Sequence, residues 1–199
     1  MNHLRFAQAD EQVLRAELER IIRTTPFLWK ALCVARDIDL PEWWLVSGAI
    51  YNTVWNVLTG RPYGHGIKDI DLFYFDTDTS WGAEDRVIQA ASSRFSHDPP
   101  VEIRNQARVH LWYQDHFGQP YLALQSAAEG IDHFACKTHA VGVRLLQDGK
   151  VKIYAPFGLG DIFAFRLTPN PVLDNRTTHE AKAARQMKLW PELTLDAWP

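Results

Sequence analysis

The chain has 199 residues, a length that suits one domain with a sizeable core. Hydrophobic residues make up 46% and charged residues 23%, as in globular proteins, and no apolar run reaches membrane-spanning length. A net charge of −3 argues against a protein that coats nucleic acid, although it allows a local basic cleft. The start of the chain lacks a signal-like pattern, so we expect Cys33 and Cys136 to be reduced thiols in a cytoplasmic protein.

Two helices are predicted near the start of the chain. Apolar residues recur at helical spacing over residues 9–23, and a second helix is predicted over residues 27–36. We expect this pair, within residues 1–40, to pack on the rest of the chain without chemistry of its own.

A turn of small residues follows the first short apolar strand. Ser47, Gly48 and Ala49 form this turn, and a helix is predicted over residues 50–58. A small residue at the start of a helix lets backbone N–H groups approach a phosphate closely. In this helix Asn52 either faces a bound nucleotide or is exposed, and the sequence leaves both interpretations open.

An Asp-x-Asp pattern occurs on the next predicted strand, which covers residues 68–75. Alternation along a strand puts Asp69 and Asp71 on one face and Lys68 on the other. Two neighbouring carboxylates repel each other unless a positive charge lies between them. The pattern therefore predicts a divalent metal site that does not include the lysine.

A further strand is predicted from Val101 onward, after a helix over residues 81–95. Glu102 on its wet face is either an exposed residue paired with Arg104 or part of the metal site. Arg104 and Arg108 provide the charge compensation that a metal–triphosphate site requires, although solvated strands have a similar composition. We expect at least one of the two arginines to contact substrate.

The remaining elements are short strands and helices. We predict a helix over residues 126–134, a strand over 138–145 and, after an Asp-Gly turn, a paired strand over 151–154. The last helix is predicted over residues 178–189. It has a basic face that we expect to be solvated, formed by Lys182, Arg185 and Lys188.

Six segments, in this order, carry a resemblance to a known group of proteins. They are SGAIYNTVWNVLTG at 47–60, KDIDLFYFD at 68–76, RNQARVHLWY at 104–113, AVGVRL at 140–145, YAPFGLGDIF at 154–163 and KLWPEL at 188–193. The small-residue turn followed by Asp-x-Asp resembles the DNA polymerase β-like nucleotidyltransferase superfamily. The whole set resembles, more closely, a bacterial nucleotidyltransferase-like family of unknown substrate.

This resemblance implies an α+β fold, with a mixed β-sheet flanked by helices. It implies a single nucleotidyltransferase-like domain over residues 1–199. The helical pair at 1–40 would pack on this domain, and a C-terminal helix would cover residues 178–191.

The resemblance also implies a site for Mg²⁺, or for Mn²⁺ in its place. Asp69 and Asp71 would hold the ions, and Glu102 occupies the position of the third carboxylate, which the superfamily takes from a neighbouring strand. The implied catalytic and metal residues are therefore these three carboxylates.

The implied nucleotide site comprises Ser47, Gly48, Ala49, Asn52, Arg104 and Arg108. The turn and the first turn of the helix would hold the phosphates. Ala49 departs from the pattern of the superfamily, which has Gly or Ser there, so its side chain donates no hydrogen bond to a phosphate.

The implied reaction moves an NMP group from an NTP to a hydroxyl of an unknown small-molecule or protein acceptor and releases pyrophosphate. The alternative is a nucleotide-binding or toxin–antitoxin-type module with the same fold and little or no catalysis. Nucleotide addition to an RNA end is a third interpretation, against which the acidic net charge argues. The intact Asp-x-Asp pattern together with Glu102 favours an enzyme.

Overall fold

The computed structural model describes residues 2–199, in which helices surround a mixed β-sheet. The helices are α1 (Glu11–Thr24), α2 (Pro26–Ile38), α3 (Gly48–Thr59), α4 (Trp81–Ser92), α5 (Tyr113–Phe117), α6 (Ala127–Asp132), α7 (Gly160–Phe163) and α8 (Arg176–Leu189). The strands are β1 (Trp44–Val46), β2 (Ile70–Tyr74), β3 (Val101–Asn105), β4 (Gly142–Leu145), β5 (Val151–Tyr154), β6 (Arg166–Leu167) and β7 (Thr194–Leu195). Within residues 2–199, none of the helices is both long and apolar enough to cross a membrane.

Five strands form the main sheet in the order β3-β2-β1-β4-β5, and β6 and β7 form a separate two-stranded sheet. The central strand β1 is antiparallel to both β2 and β4. The pair β2–β3 is parallel, with α4 in the crossover between them. The predicted α+β class, with a mixed sheet flanked by helices, is confirmed.

The two faces of the main sheet differ in chemistry. Ile70, Leu72 and Tyr74 of β2 are buried and join the main core with residues of α1, α2, α3 and α4. Asp71 and Phe73 alternate with them and are only partly buried. The aspartate of β2 therefore lies on the face opposite the main core.

Trp190, directly after α8, is fully buried and connects the C-terminal part of the chain to α3. Its indole Nε1 donates to Asn56 Oδ1 at 3.0 Å. The amide of Asn56 in turn donates to the carbonyls of Tyr63 at 3.0 Å and His65 at 2.8 Å. These bonds hold the loop that leads into β2.

Several predicted boundaries differ from those in the structure. Strand β3 ends at Asn105, because the side chain of Asn105 accepts from Ala107 N at 3.1 Å and starts a 3-10 turn, Gln106–Leu111. The predicted strand over 138–145 is divided into a second 3-10 turn, Lys137–His139, and β4. The small β6–β7 sheet was not predicted.

Candidate active site

A polar cavity of about 200 Å³ lies where β1 passes into α3. The turn and α3 contribute Ser47, Gly48, Tyr51 and Asn52. The loop before β2 and the strand itself contribute Gly66, Ile67, Lys68, Asp69 and Asp71. Helix α8 contributes Lys182 and Arg185. We call this space the polar cavity.

The turn into α3 has an unusual backbone conformation. Ser47 has φ 57° and ψ −118°, a region that residues other than glycine rarely adopt and that often marks functional sites. Its N–H donates to Val141 O at 2.8 Å, and its carbonyl accepts from Ile50 N at 2.9 Å. These bonds fix the N-terminus of α3 at the cavity wall. The first N–H groups of a helix lack intrahelical partners, so they are suited to bind an anion.

Gly48 keeps the N-terminus of α3 open, although the packing of the protein itself does not require a glycine there. A Cβ atom built there would meet only Asn52 Nδ2 and Tyr51 Oη, both at 3.8 Å, an ordinary contact distance. The missing side chain therefore leaves open space at the helix N-terminus that the fold does not use. An approaching phosphate would use that space.

Tyr51 is held in the cavity wall by residues from two other segments. Gln186 of α8 donates from Nε2 to Tyr51 Oη at 2.8 Å, and its Oε1 lies 3.0 Å from Nε2 of His139. The imidazole of His139 stacks on the Tyr51 ring with a centroid separation of 4.6 Å. Burial, assisted by the charge of Lys182, lowers the pKa of His139 to about 3, so this ring is neutral. The network ties α3 to α8.

Three carboxylates lie on or next to the neighbouring strands β2 and β3. Asp69 directly precedes β2, and Asp71 lies on it, opposite Glu102 of β3 in the parallel register. Burial, and then the charges of Asp69 and Glu102, raise the pKa of Asp71 to about 7. The grouping thus accumulates negative charge that a dication would neutralise.

The donors in this group suit Mg²⁺, which prefers carboxylate oxygens and keeps some of its water ligands. Asn52 adds a buried side-chain oxygen, Oδ1, which has no hydrogen-bond partner within residues 2–199. The residues present therefore fit a hydrated cation and its phosphate ligands.

The third carboxylate is not yet turned towards the other two. Glu102 Oε2 accepts from Arg104 Nη2 at 3.2 Å, and both side chains are about half exposed, at 47% and 52%. In the described part of the chain, no three His, Cys, Asp or Glu side chains are already gathered as a complete metal cluster. Because Glu102 is exposed, rotation of its side chain would bring its carboxylate towards Asp71 at little cost.

Two cations of the polar cavity come from α8, where the sequence predicted a solvated basic face. Lys188 is exposed as expected, and Arg185 is exposed but lines the cavity. Lys182 is largely buried. Burial lowers the pKa of its ammonium group, while the carboxylate of Asp71 acts in the opposite direction. The prediction was wrong for Lys182.

Three buried residues of α8 mark the face of the helix that is directed inward. They are His179, Ala183 and Gln186, and Lys182 lies next to this face.

Lys68 also lines the cavity, although strand alternation had placed it on the other face. Strand β2 begins only at Ile70, so the alternation does not extend to this residue.

Three residues predicted to bind nucleotide do not line the polar cavity. Ala49 is buried in the main core. Arg108 forms an ion pair with Glu84 of α4, with Nε and Oε2 2.9 Å apart and both side chains mostly buried. Arg104 lies two residues beyond Glu102, against the next cavity along the sheet. Of these three, Arg108 follows the end of β3 at Asn105, where the chain turns away from the direction of the strand.

Comparison with known proteins agrees with this architecture. A nucleotidyltransferase family model matches residues 33–195. An NMR structure described as revealing a CCA-adding enzyme head domain has a similar fold, with a TM-score of 0.73 and 24% sequence identity. That similarity covers 92% of this chain and 96% of the other. No curated protein matches the chain. Because the family match extends over most of its length, the chain belongs to the nucleotidyltransferase family.

Proposed function

We propose that the protein transfers an NMP group from an NTP to the hydroxyl of an acceptor, in a reaction that requires Mg²⁺ or Mn²⁺ and releases pyrophosphate. The observation that carries the proposal is the position of Asp69 and Asp71 in the same cavity as the N-terminus of α3, with Glu102 opposite Asp71 on β3. Phosphates and their metal ions would share one cavity there. Membership of the nucleotidyltransferase family supports nucleotidyl transfer as the class of reaction.

The polar cavity has two sets of groups for a triphosphate. The turn at Ser47 and Gly48 presents backbone N–H groups, and the missing side chain of the glycine permits close approach. Lys182 and Arg185 bring positive charge from α8. In this proposal these groups bind the β- and γ-phosphates.

The carboxylates would act at the other end of the triphosphate. When bound, the metal ions lower the pKa of the attacking hydroxyl and neutralise charge on the phosphate oxygens. Asp69 and Asp71 hold the ions, and Glu102 accepts the proton of the hydroxyl. The acceptor oxygen forms a bond to the α-phosphorus, the bond from that phosphorus to the bridging oxygen breaks, and pyrophosphate leaves with the electron pair.

The proposed partners are an NTP and an acceptor among small molecules or protein side chains. A net charge of −3 does not favour extensive contact with the phosphates of a nucleic acid. We therefore do not propose a nucleic-acid acceptor.

The first test is calorimetric titration of each of the four NTPs in the presence of Mg²⁺. Wild type is compared with Asp71→Asn and Gly48→Ala. We expect saturable, metal-dependent binding by wild type and no binding by Asp71→Asn. Gly48→Ala should weaken binding at least tenfold, because the new methyl group occupies the space of the phosphate. The same substitution should leave the fold intact, since its contacts lie at 3.8 Å.

Gly64→Ala is the matched control, because a Cβ atom at this exposed glycine meets no atom within 4 Å. It should bind NTP as wild type does. If no NTP binds at millimolar concentration, or if Asp71→Asn binds equally well, the proposed site is wrong. Binding without pyrophosphate release on addition of any acceptor would instead favour the nucleotide-binding module.

A further inference from the structure

A second cavity, of about 220 Å³, lies next to the polar cavity on the same face of the sheet. Lys182 lines both cavities. The walls of the second are mainly aromatic rings, from Phe73, Trp112, Tyr113, Phe117, Tyr121 and Phe134. We call it the aromatic cavity.

The aromatic rings are fixed in place by contacts with one another. Tyr113 lies 4.3 Å from the ring of Tyr121 and 4.6 Å from that of Phe117, between centroids. The hydroxyl of Tyr113 donates to Asn175 Oδ1 at 3.0 Å, and that of Tyr121 lies 2.8 Å from His133 Nδ1. Because both hydroxyl groups have partners within the protein, the surface that these rings present to the cavity is mainly apolar.

Charge is confined to one end of the aromatic cavity. Arg104 and Lys182 are its charged residues among those described, and both lie near the carboxylates: Arg104 pairs with Glu102, and Lys182 also lines the polar cavity. At the other end, burial lowers the pKa of His133, which favours its neutral form. A ligand with an uncharged flat ring and a polar group directed to the carboxylates fits this distribution.

The volume limits the size of that ring. A dry cavity of about 150 Å³ lined by apolar side chains holds benzene. At about 220 Å³ the aromatic cavity accommodates one substituted ring. Trp112 and Phe117 are 43% and 42% exposed, so the cavity opens to solvent at its rim.

The order of the two cavities along β2 assigns their roles. Asp71 lines the polar cavity, and Phe73, two residues later on the same face, lines the aromatic cavity roughly 7 Å away. Phosphoryl transfer requires the attacking and leaving oxygens to be in line on opposite sides of the phosphorus. If pyrophosphate leaves on the side of α3, the attacking group must arrive from the side of Phe73.

We propose that the aromatic cavity is the acceptor site and that the acceptor is a small molecule with a single aromatic ring and a hydroxyl group directed to the carboxylates. This proposal rests on the proposed function, because the direction of attack depends on where pyrophosphate leaves. It narrows the acceptor from any hydroxyl compound or protein side chain to one class of molecule.

The test is a titration of benzyl alcohol followed by protein NMR, without nucleotide and again with saturating Mg²⁺ and NTP. Cyclohexylmethanol, which has the same hydroxyl on a saturated ring, is the control ligand. Thr178→Trp fills the aromatic cavity from α8, and Thr177→Trp places the same side chain at the exposed neighbouring position. Trp112→Ala removes an exposed ring from the rim and therefore needs no refolding of the core.

We expect benzyl alcohol to bind more tightly than cyclohexylmethanol and to bind together with the NTP. Thr178→Trp and Trp112→Ala should each weaken its binding at least fivefold, whereas Thr177→Trp should not. Competition between benzyl alcohol and the NTP would overturn the proposal, because the cavity would then receive the nucleobase. Equal binding of the two alcohols, or no effect of either cavity variant, would also overturn it. The proposed function fails separately, if wild type shows no metal-dependent NTP binding.

Discussion

The raised pKa of Asp71 predicts an unusual pH dependence of stability in the metal-free protein. In the folded protein the pKa is about 7, against an ordinary value of 3.8, owing first to burial and then to Asp69 and Glu102. Between these values the folded state keeps a proton that the unfolded state has lost. Stability therefore decreases as the pH rises from about 4 to about 7, and the full penalty is present above pH 7. Asp71→Asn removes this penalty.

The size of the effect follows from the shift in the pKa of Asp71. Each pKa unit corresponds to about 1.4 kcal/mol, so full desolvation would give roughly 4 kcal/mol. Solvent reaches part of the Asp71 side chain, which reduces the expected gain to about 2 kcal/mol. For a chain of this length that gain raises the Tm of Asp71→Asn above that of wild type by roughly 4–8 °C at pH 8.

The assay is thermal unfolding in a chelating buffer at pH 4.5 and pH 8, with Asp115→Asn, an exposed aspartate, as the control. The difference between Asp71→Asn and wild type should be large at pH 8 and small at pH 4.5, and the control should show none. Added Mg²⁺ should stabilise wild type and the control but not Asp71→Asn. If Asp71→Asn is less stable than wild type at pH 8 without metal, the carboxylate is stabilised by contacts that the structure does not contain, and the reasoning fails.

Three further predictions concern the frame around the site. Gly66→Ala should lower the Tm markedly, since Gly66 has φ 70° and a Cβ atom there lies 3.0 Å from Trp190 Cζ2; differential scanning calorimetry checks this. Ser47→Gly should raise stability by about 1 kcal/mol in a urea titration by relieving the positive φ, and unchanged stability would show that the turn is not strained. Arg108→Met should cost roughly 3 kcal/mol in the same titration by removing the ion-pair partner of Glu84, yet keep NTP affinity at the wild-type value. A large loss of affinity with little loss of stability would show that Arg108 contacts the nucleotide.

The local part of the site could be predicted from the sequence. Ser47, Gly48 and the Asp-x-Asp pattern act through neighbouring backbone and strand alternation, which depend on short-range geometry. The register that puts Glu102 opposite Asp71 is a tertiary feature, and it was anticipated only through the resemblance to a known family. Whether these residues catalyse a reaction is still a prediction.

The distant part of the site could not be predicted in this way. Lys182 is far from Asp71 in the sequence, and its helix has few apolar residues to show which side faces inward. The polar side chain of Gln186 in α8 can be buried because it has partners in Tyr51 and His139. Such partners are found only when the fold is known. The position of Arg108 was missed for a similar reason, because its partner Glu84 is on another element.

The contact between Trp190 and Asn56 has a consequence for biosynthesis. The turn, the Asp-x-Asp strand and the loop between them leave the ribosome well before Trp190, which anchors that loop through Asn56. The N-terminal part of the chain emerges from the ribosome first. The nascent protein thus has its strand pairings available early, but the loop beside the carboxylates becomes anchored only when the segment after α8 has been translated. Chains that end before Trp190 are therefore expected to be unable to hold nucleotide.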